Sequence, residues 1–79
     1  MTEYEIAIEI DARGSFCPGP MMELIKAIRQ AEVGEYLVLL SSDEGTRNDV
    51  PAWLKKAQHE LVEIITLDGY DKYIVKKSH

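Results

Sequence analysis

Apolar residues occupy every second position in Tyr4, Ile6, Ile8 and Ile10, with Glu5, Glu9 and Asp11 near or between them. That is the period of a strand with one buried face. The period then changes. Met21, Leu24, Ile25 and Ile28 recur at helical spacing, with Glu23, Lys26 and Arg29 on the other side. The spacing predicts a helix from about Pro18 to Ala31, ending before Val33-Gly34. Tyr36-Leu37-Val38-Leu39-Leu40 is a continuous apolar run inside Glu35 to Ser41, which suits a central strand covered on at least part of both faces. The stretch from Ser42 to Asp49 reads as polar loop, with Thr46, Asn48 and Asp49 as possible N-caps and Pro51 suited to the first turn of the next helix. Val50, Trp53, Leu54 and Ala57 trace that helix's apolar face. Leu61 to Leu67 is rich in β-branched residues, Asp68-Gly69 is a hairpin signal, and Tyr70 to Val75 alternates again.

The order is β-α-β-α-β-β. Each helix has one apolar stripe, so both should pack on the same face of one four-stranded mixed sheet. The expected fold is an α/β (α+β) two-layer sandwich forming a single domain over residues 1–79. The other sheet face is expected to be partly open and available for partner contacts.

Composition narrows the function. Seventy-nine residues lie near the lower limit for a self-sufficient core. One cysteine and two histidines provide neither a disulfide nor a zinc ligand set, and no cofactor-binding motif is present. No apolar run is long enough to span a bilayer, and Met1 to Glu5 lacks the basic and apolar regions of a signal peptide. A cytoplasmic location and no membrane partner are expected. The net charge of −5 argues against tight autonomous nucleic-acid binding. The basic pairs Lys55-Lys56 and Lys76-Lys77 would make at most one modest patch.

The chemistry concentrates on Cys17, between the first strand and the first helix. A thiol at a helix N-terminus faces unpaired N–H groups that favour the thiolate. Pro18 and Pro20 suit a first turn, where their missing N–H groups would have had no partner, and Gly14 allows a sharp turn. The structural alternative is an inert buried thiol. Arg13 either assists ionisation or pairs with Asp11, and Asp11 reads most simply as a strand-end carboxylate bonding loop amides. His59 invites a Cys–His dyad, but at the end of the second helix an imidazole more simply caps carbonyls. Trp53, Met21 and Met22 read as core or near-core residues, with Met22 alternatively on an exposed rim beside the thiol. Phe16 is either a docking contact or packing beneath its loop. A lone thiol cannot resolve a mixed disulfide within its own chain, which argues for a carrier over a dithiol redox catalyst.

The run Asp11-x-Arg13-Gly14-x-x-Cys17-Pro18-x-Pro20 resembles the signature of the TusA family of small sulfur-carrier proteins, also called SirA-like. Asp43, then Asp49-Val50-Pro51-x-Trp53 and His59-Glu60-Leu61, resembles the same family's second-helix segment. The resemblance implies that Cys17 accepts sulfane sulfur, or thiosulfonate, and relays it to another protein. The donor would be a cysteine desulfurase or a rhodanese-like protein. Relatives serve transfer-RNA thiolation, molybdenum-cofactor formation or sulfur oxidation. By position, Asp11, Arg13, Gly14, Pro18 and Pro20 would shape the active loop, and Asp49 and Pro51 would start the facing helix. Two other readings are open: a regulatory or interaction module with an incidental thiol, and an RNA-binding adaptor.

Overall fold

The computed structural model describes residues 6–14 and 19–79. Tyr4 and Pro18, expected to open the first strand and first helix, lie outside the described residues. Chain order is β1 (Ile6–Asp11), α1 (Gly19–Gln30), β2 (Tyr36–Ser41), α2 (Glu44–Ala57), β3 (Glu60–Leu67) and β4 (Tyr70–Lys76). The sheet order is β1-β2-β4-β3. β1 runs parallel to β2, and β4 runs antiparallel to both β2 and β3. The expected four-stranded mixed sheet is what forms.

The two periodicities account for the main core. Met21, Leu24, Ala27 and Ile28 of α1 and Val50 and Leu54 of α2 pack on Leu37, Leu39, Tyr73 and Val75 of the central strands. Both helices therefore cover one sheet face. Fully burying each of these leucines contributes about 1.5–3 kcal/mol. Trp53 is partly buried against the same core. Met21 is buried, but Met22 is 62% exposed, which places it on the surface and not in the core.

The helix-free face carries a small apolar cluster of its own. Val38, Leu40 and Ile74 are buried there, roofed by Tyr36, Val62, Ile65 and Tyr70. Partly buried side chains on neighbouring strands cover these three without a second helical layer, so the face is partly open. Asp68-Gly69 forms the expected turn, pairing Leu67 with Tyr70, and Gly69 takes the positive φ of 86°.

α2 departs from expectation. It begins at Glu44, after an extended Asp43, so most of the predicted loop is helical and Pro51 lies inside the helix. Thr46, Asn48 and Asp49 are helical residues and not caps, and neither Asp49 nor Pro51 starts the helix. The cause is tertiary. Glu44 to Asn48 carry no apolar stripe, but Thr46 is fully buried and its Oγ1 accepts a 3.1 Å hydrogen bond from Ser41 Oγ. One residue on, Arg47 grips Asp71 of β4. An interior proline costs about 3 kcal/mol relative to alanine, and these contacts hold the first turns in place despite it.

Candidate functional site

Each helix follows directly from one of the two parallel strands, α1 from β1 and α2 from β2. Both helix N-termini therefore lie at the sheet edge where β1 and β2 end. Open α/β sheets characteristically bind and react at the carboxyl ends of such strands. Helix N-termini carry unpaired N–H groups and the positive end of the dipole, so two positive ends face one region.

At this edge the motif residues are locked together. Arg13 grips Asp11 through Nε to Oδ1 at 2.9 Å and Nη2 to Oδ2 at 2.8 Å, and its backbone N–H donates to Oδ1 at 3.2 Å. The guanidinium holds the Asp11 carboxyl down to about 2, and the carboxylate in turn raises Arg13 above its ordinary value. Pairing with Asp11 is thus the described role of Arg13. Its guanidinium carbon also lies 4.8 Å from the centre of the Tyr70 ring, a cation–π contact. Gly14 adopts φ 87°, a left-handed conformation that other residues enter at a cost, and donates its N–H to Ser42 Oγ at 3.0 Å. Pro20 is buried in the first turn of α1. Cys17, with Ser15, Phe16 and Pro18, lies outside the described residues.

Behind this edge sits a polar layer that the motif did not reveal. Asp43 N–H donates to Ser41 Oγ at 3.2 Å, next to the Ser41–Thr46 bond. Asp71 is 3% exposed, and Arg47 Nε and Nη2 reach it at 2.9 and 3.2 Å. That pairing raises Arg47. Tyr73 is fully buried, and its hydroxyl has no hydrogen-bond partner among the described residues. Burial and the Asp71 carboxylate push it up to about 12. A signal for Asp71 was present in the sequence, since it shares the core-facing parity of Tyr73 and Val75 and a carboxylate there must be paired. Ser42, Arg47 and Tyr70 carried no such signal, because their partners are distant in the chain.

The histidines fall elsewhere. His59 follows the C-terminal end of α2, away from the Asp11–Gly14 edge. Its backbone N–H donates to Leu54 C=O at 2.9 Å, and its Nδ1 accepts from Ser78 N–H at 3.2 Å. The ring that reaches a terminal helix carbonyl is His79, with Nε2 2.8 Å from Ala57 O. The carbonyl-capping role expected of the His59 imidazole is thus taken by His79, which stacks on His59 at 4.6 Å. Burial, then His79 and Lys77, lower His59. Among the described residues no cluster of His, Cys, Asp and Glu could hold a metal ion, and no helix is long and apolar enough to cross a membrane. The basic pairs lie at the end where the helices finish. Lys55 and Lys56 lie in the last turn of α2, Lys76 lies over Tyr36 on the helix-free face, and Lys77 Nζ bonds Ala31 O.

Two helices on one face of a four-stranded mixed sheet, with the Asp11–Gly14 motif at the end where both helices begin, define a small two-layer α+β domain. The family model described as sulfurtransferase TusA matches residues 8–77. The chain is 54% identical over 70 residues to a protein of Archaeoglobus fulgidus named "Putative sulfur carrier protein", covering 89% of this chain and 96% of that one. It is 37% identical over 70 residues to the sulfur carrier protein TusA of Buchnera aphidicola, covering 89% of each. The crystal structure of a SirA-like protein from Desulfitobacterium hafniense superposes with a TM-score of 0.80 at 23% identity, over 91% of this chain and 99% of that one. That likeness establishes the shared fold. The chain belongs to the TusA family of sulfur carriers.

Proposed function

We propose that Cys17 is the sulfur-bearing residue of this carrier and that the chain acts as one domain in a sulfur relay. The observation that supports this is the flanking geometry. Gly14 is pinned to Ser42 at the edge where α1 and α2 begin, and Gly19 opens α1. Cys17 lies between them in sequence. Two helix N-termini favour an anion, whether thiolate or persulfide.

The transfer balances simply. The Cys17 thiolate attacks the terminal sulfur of a donor persulfide, the donor's S–S bond breaks, and the donor leaves as a thiolate. Cys17 then carries a persulfide anion after loss of its proton. An acceptor thiolate attacks that terminal sulfur in turn and releases the Cys17 thiolate. No net oxidation occurs, and no resident cofactor enters either step. The donor is a cysteine desulfurase or a rhodanese-like protein, and a reducing cytoplasm suits the lone thiol. The acceptor serves a pathway such as transfer-RNA thiolation, molybdenum-cofactor formation or sulfur oxidation. Asp11, Arg13, Gly14, Pro18 and Pro20 hold the loop.

Intact-mass measurement after incubation with a cysteine desulfurase and cysteine, or with a thiosulfate-derived donor, tests the reading. One added sulfur or one thiosulfonate group is expected, and none in Cys17→Ser. If no donor loads the protein, or if function in cells survives Cys17→Ser, the carrier reading fails and a regulatory module replaces it.

A further inference from the structure

The sheet leaves β1 at an edge, and α1 stands beside it. Ala12 N–H donates to Leu40 C=O. Since amides alternate along a strand, those of Ile8 and Ile10 also face β2, and those of Glu9 and Asp11 face outward with no strand beside them among the described residues. Along this free edge runs an open groove of about 390 Å³ between β1 and α1. Its apolar floor is Ile8, Ile10 and Ala27, and its rim holds Glu9, Glu23 and Lys26. β1 contains no proline and no lysine, and its register irregularity lies between Ile6 and Ile8, before the Glu9–Asp11 stretch.

We propose that this edge accepts an extended segment of a partner protein as a fifth strand, and that the segment alternates basic and apolar residues. Its outward amides would pair with Glu9 and Asp11. Its apolar side chains would lie over Ile8, Ile10 and Ala27, and its basic side chains would face Glu9 on the other side of the sheet. Charge selects this occupant. Asp11 is already paired with Arg13, but Glu9 and Glu23 form no ion pair among the described residues. A second copy of this chain pairing antiparallel through β1 would bring Glu9 against Glu9 or its acidic neighbours, and like charges directly opposed destabilise a sheet. The net charge of −5 on each copy adds to that penalty. The proposal does not depend on the sulfur reading.

The test uses ¹⁵N-labelled full-length chain and a synthetic peptide of about eight alternating Lys and Val residues, long enough for an ordinary strand. Addition of peptide should shift the amides of Glu9 and Asp11 and slow their hydrogen exchange. A peptide of the same sequence N-methylated at every residue should not bind, because neither of its edges can donate. Glu9→Lys, on an exposed side chain, should weaken the Lys–Val peptide about three- to tenfold and confer binding of a Glu–Val peptide. Lys26→Glu should strengthen the Lys–Val peptide, and Cys17→Ser should bind like the parent. Shifts confined to another surface, or equal binding of the N-methylated peptide, would overturn the proposal. So would sedimentation showing self-association through β1.

Discussion

The two ends of the sandwich have opposite characters, and the contrast separates the conspicuous sequence motif from the structural caps. At the end where α1 and α2 begin, the chain positions Asp11, Arg13 and Gly14 and pins them to Ser42 and Tyr70. At the end where the helices finish, the negative ends are consumed by structural caps. Lys77 Nζ bonds Ala31 O at 2.7 Å, His79 reaches Ala57 O, and the backbone amides of Gln58 and His59 return to Lys55 O and Leu54 O. Helix ends look alike locally. What differs is that one end has its orphan carbonyls supplied with donors by the chain's own tail, whereas the other places the helices' positive ends beside the Asp11–Arg13 pair.

The sharpest way to break this contrast is to exchange the fates of the two candidate side chains. Cys17→Ser should abolish sulfur loading, whereas His59→Ala should leave loading unchanged in the intact-mass assay. If His59→Ala also abolished loading, the separation of the two ends would be wrong.

The next effect compares two left-handed residues. Gly14 has φ 87°, and no described residue lies within 4 Å of an added β-carbon, so Gly14→Ala meets no clash among the described residues but adopts a strained backbone. A loss of about 1–2 kcal/mol is expected in urea unfolding, with slower loading of Cys17. At the opposite end Gln58 has φ 63° and closes α2 without a glycine. Gln58→Gly should stabilise by about 0.5–1 kcal/mol and leave loading untouched.

The smallest effect is a difference in pH response. The Asp11 carboxyl is depressed to about 2 from an ordinary value of 3.8. Its pair therefore contributes fully above pH 3.8 and is lost only as pH falls towards 2. His59 is also depressed, from 6.5. The folded state there prefers the neutral ring, so its contribution is complete above pH 6.5 and declines as pH falls through the lowered value. Acidification should thus loosen the capped end first. The protection factor of the Ser78 amide, relative to its intrinsic exchange rate at each pH, should fall below pH 6.5 while Arg13 remains protected, and His59→Gln should flatten the first response. Simultaneous loosening of both ends would contradict the assignment.

Much of this molecule was legible from local pattern. The two-residue period of Ile8 and Ile10, the helical spacing of Leu24 and Ile28, and Asp68-Gly69 each depend on neighbours a few positions away. The Asp11-to-Pro20 motif was visible for the same reason, and so was the family. The start of α2 was not. Thr46, Asn48 and Asp49 are chemically equivalent caps to a reader of sequence, and Pro51 favours a helix starting nearby. The choice of Asp43 as the preceding residue came from Ser41 beneath Thr46 and from Asp71 beneath Arg47, the latter pair 24 residues apart.

The linear chain determined its elements, their order, its lone thiol and its family, because each is written in periodicity or in a contiguous motif. Only the tertiary structure decided which groups cap the C-terminal ends of the helices, where α2 begins, and that Ser42 would hold Gly14. Those outcomes depend on hydrogen-bond partners brought together across the sheet. No local propensity encodes them, since a donor or carboxylate is neutral evidence until folding supplies what it bonds to.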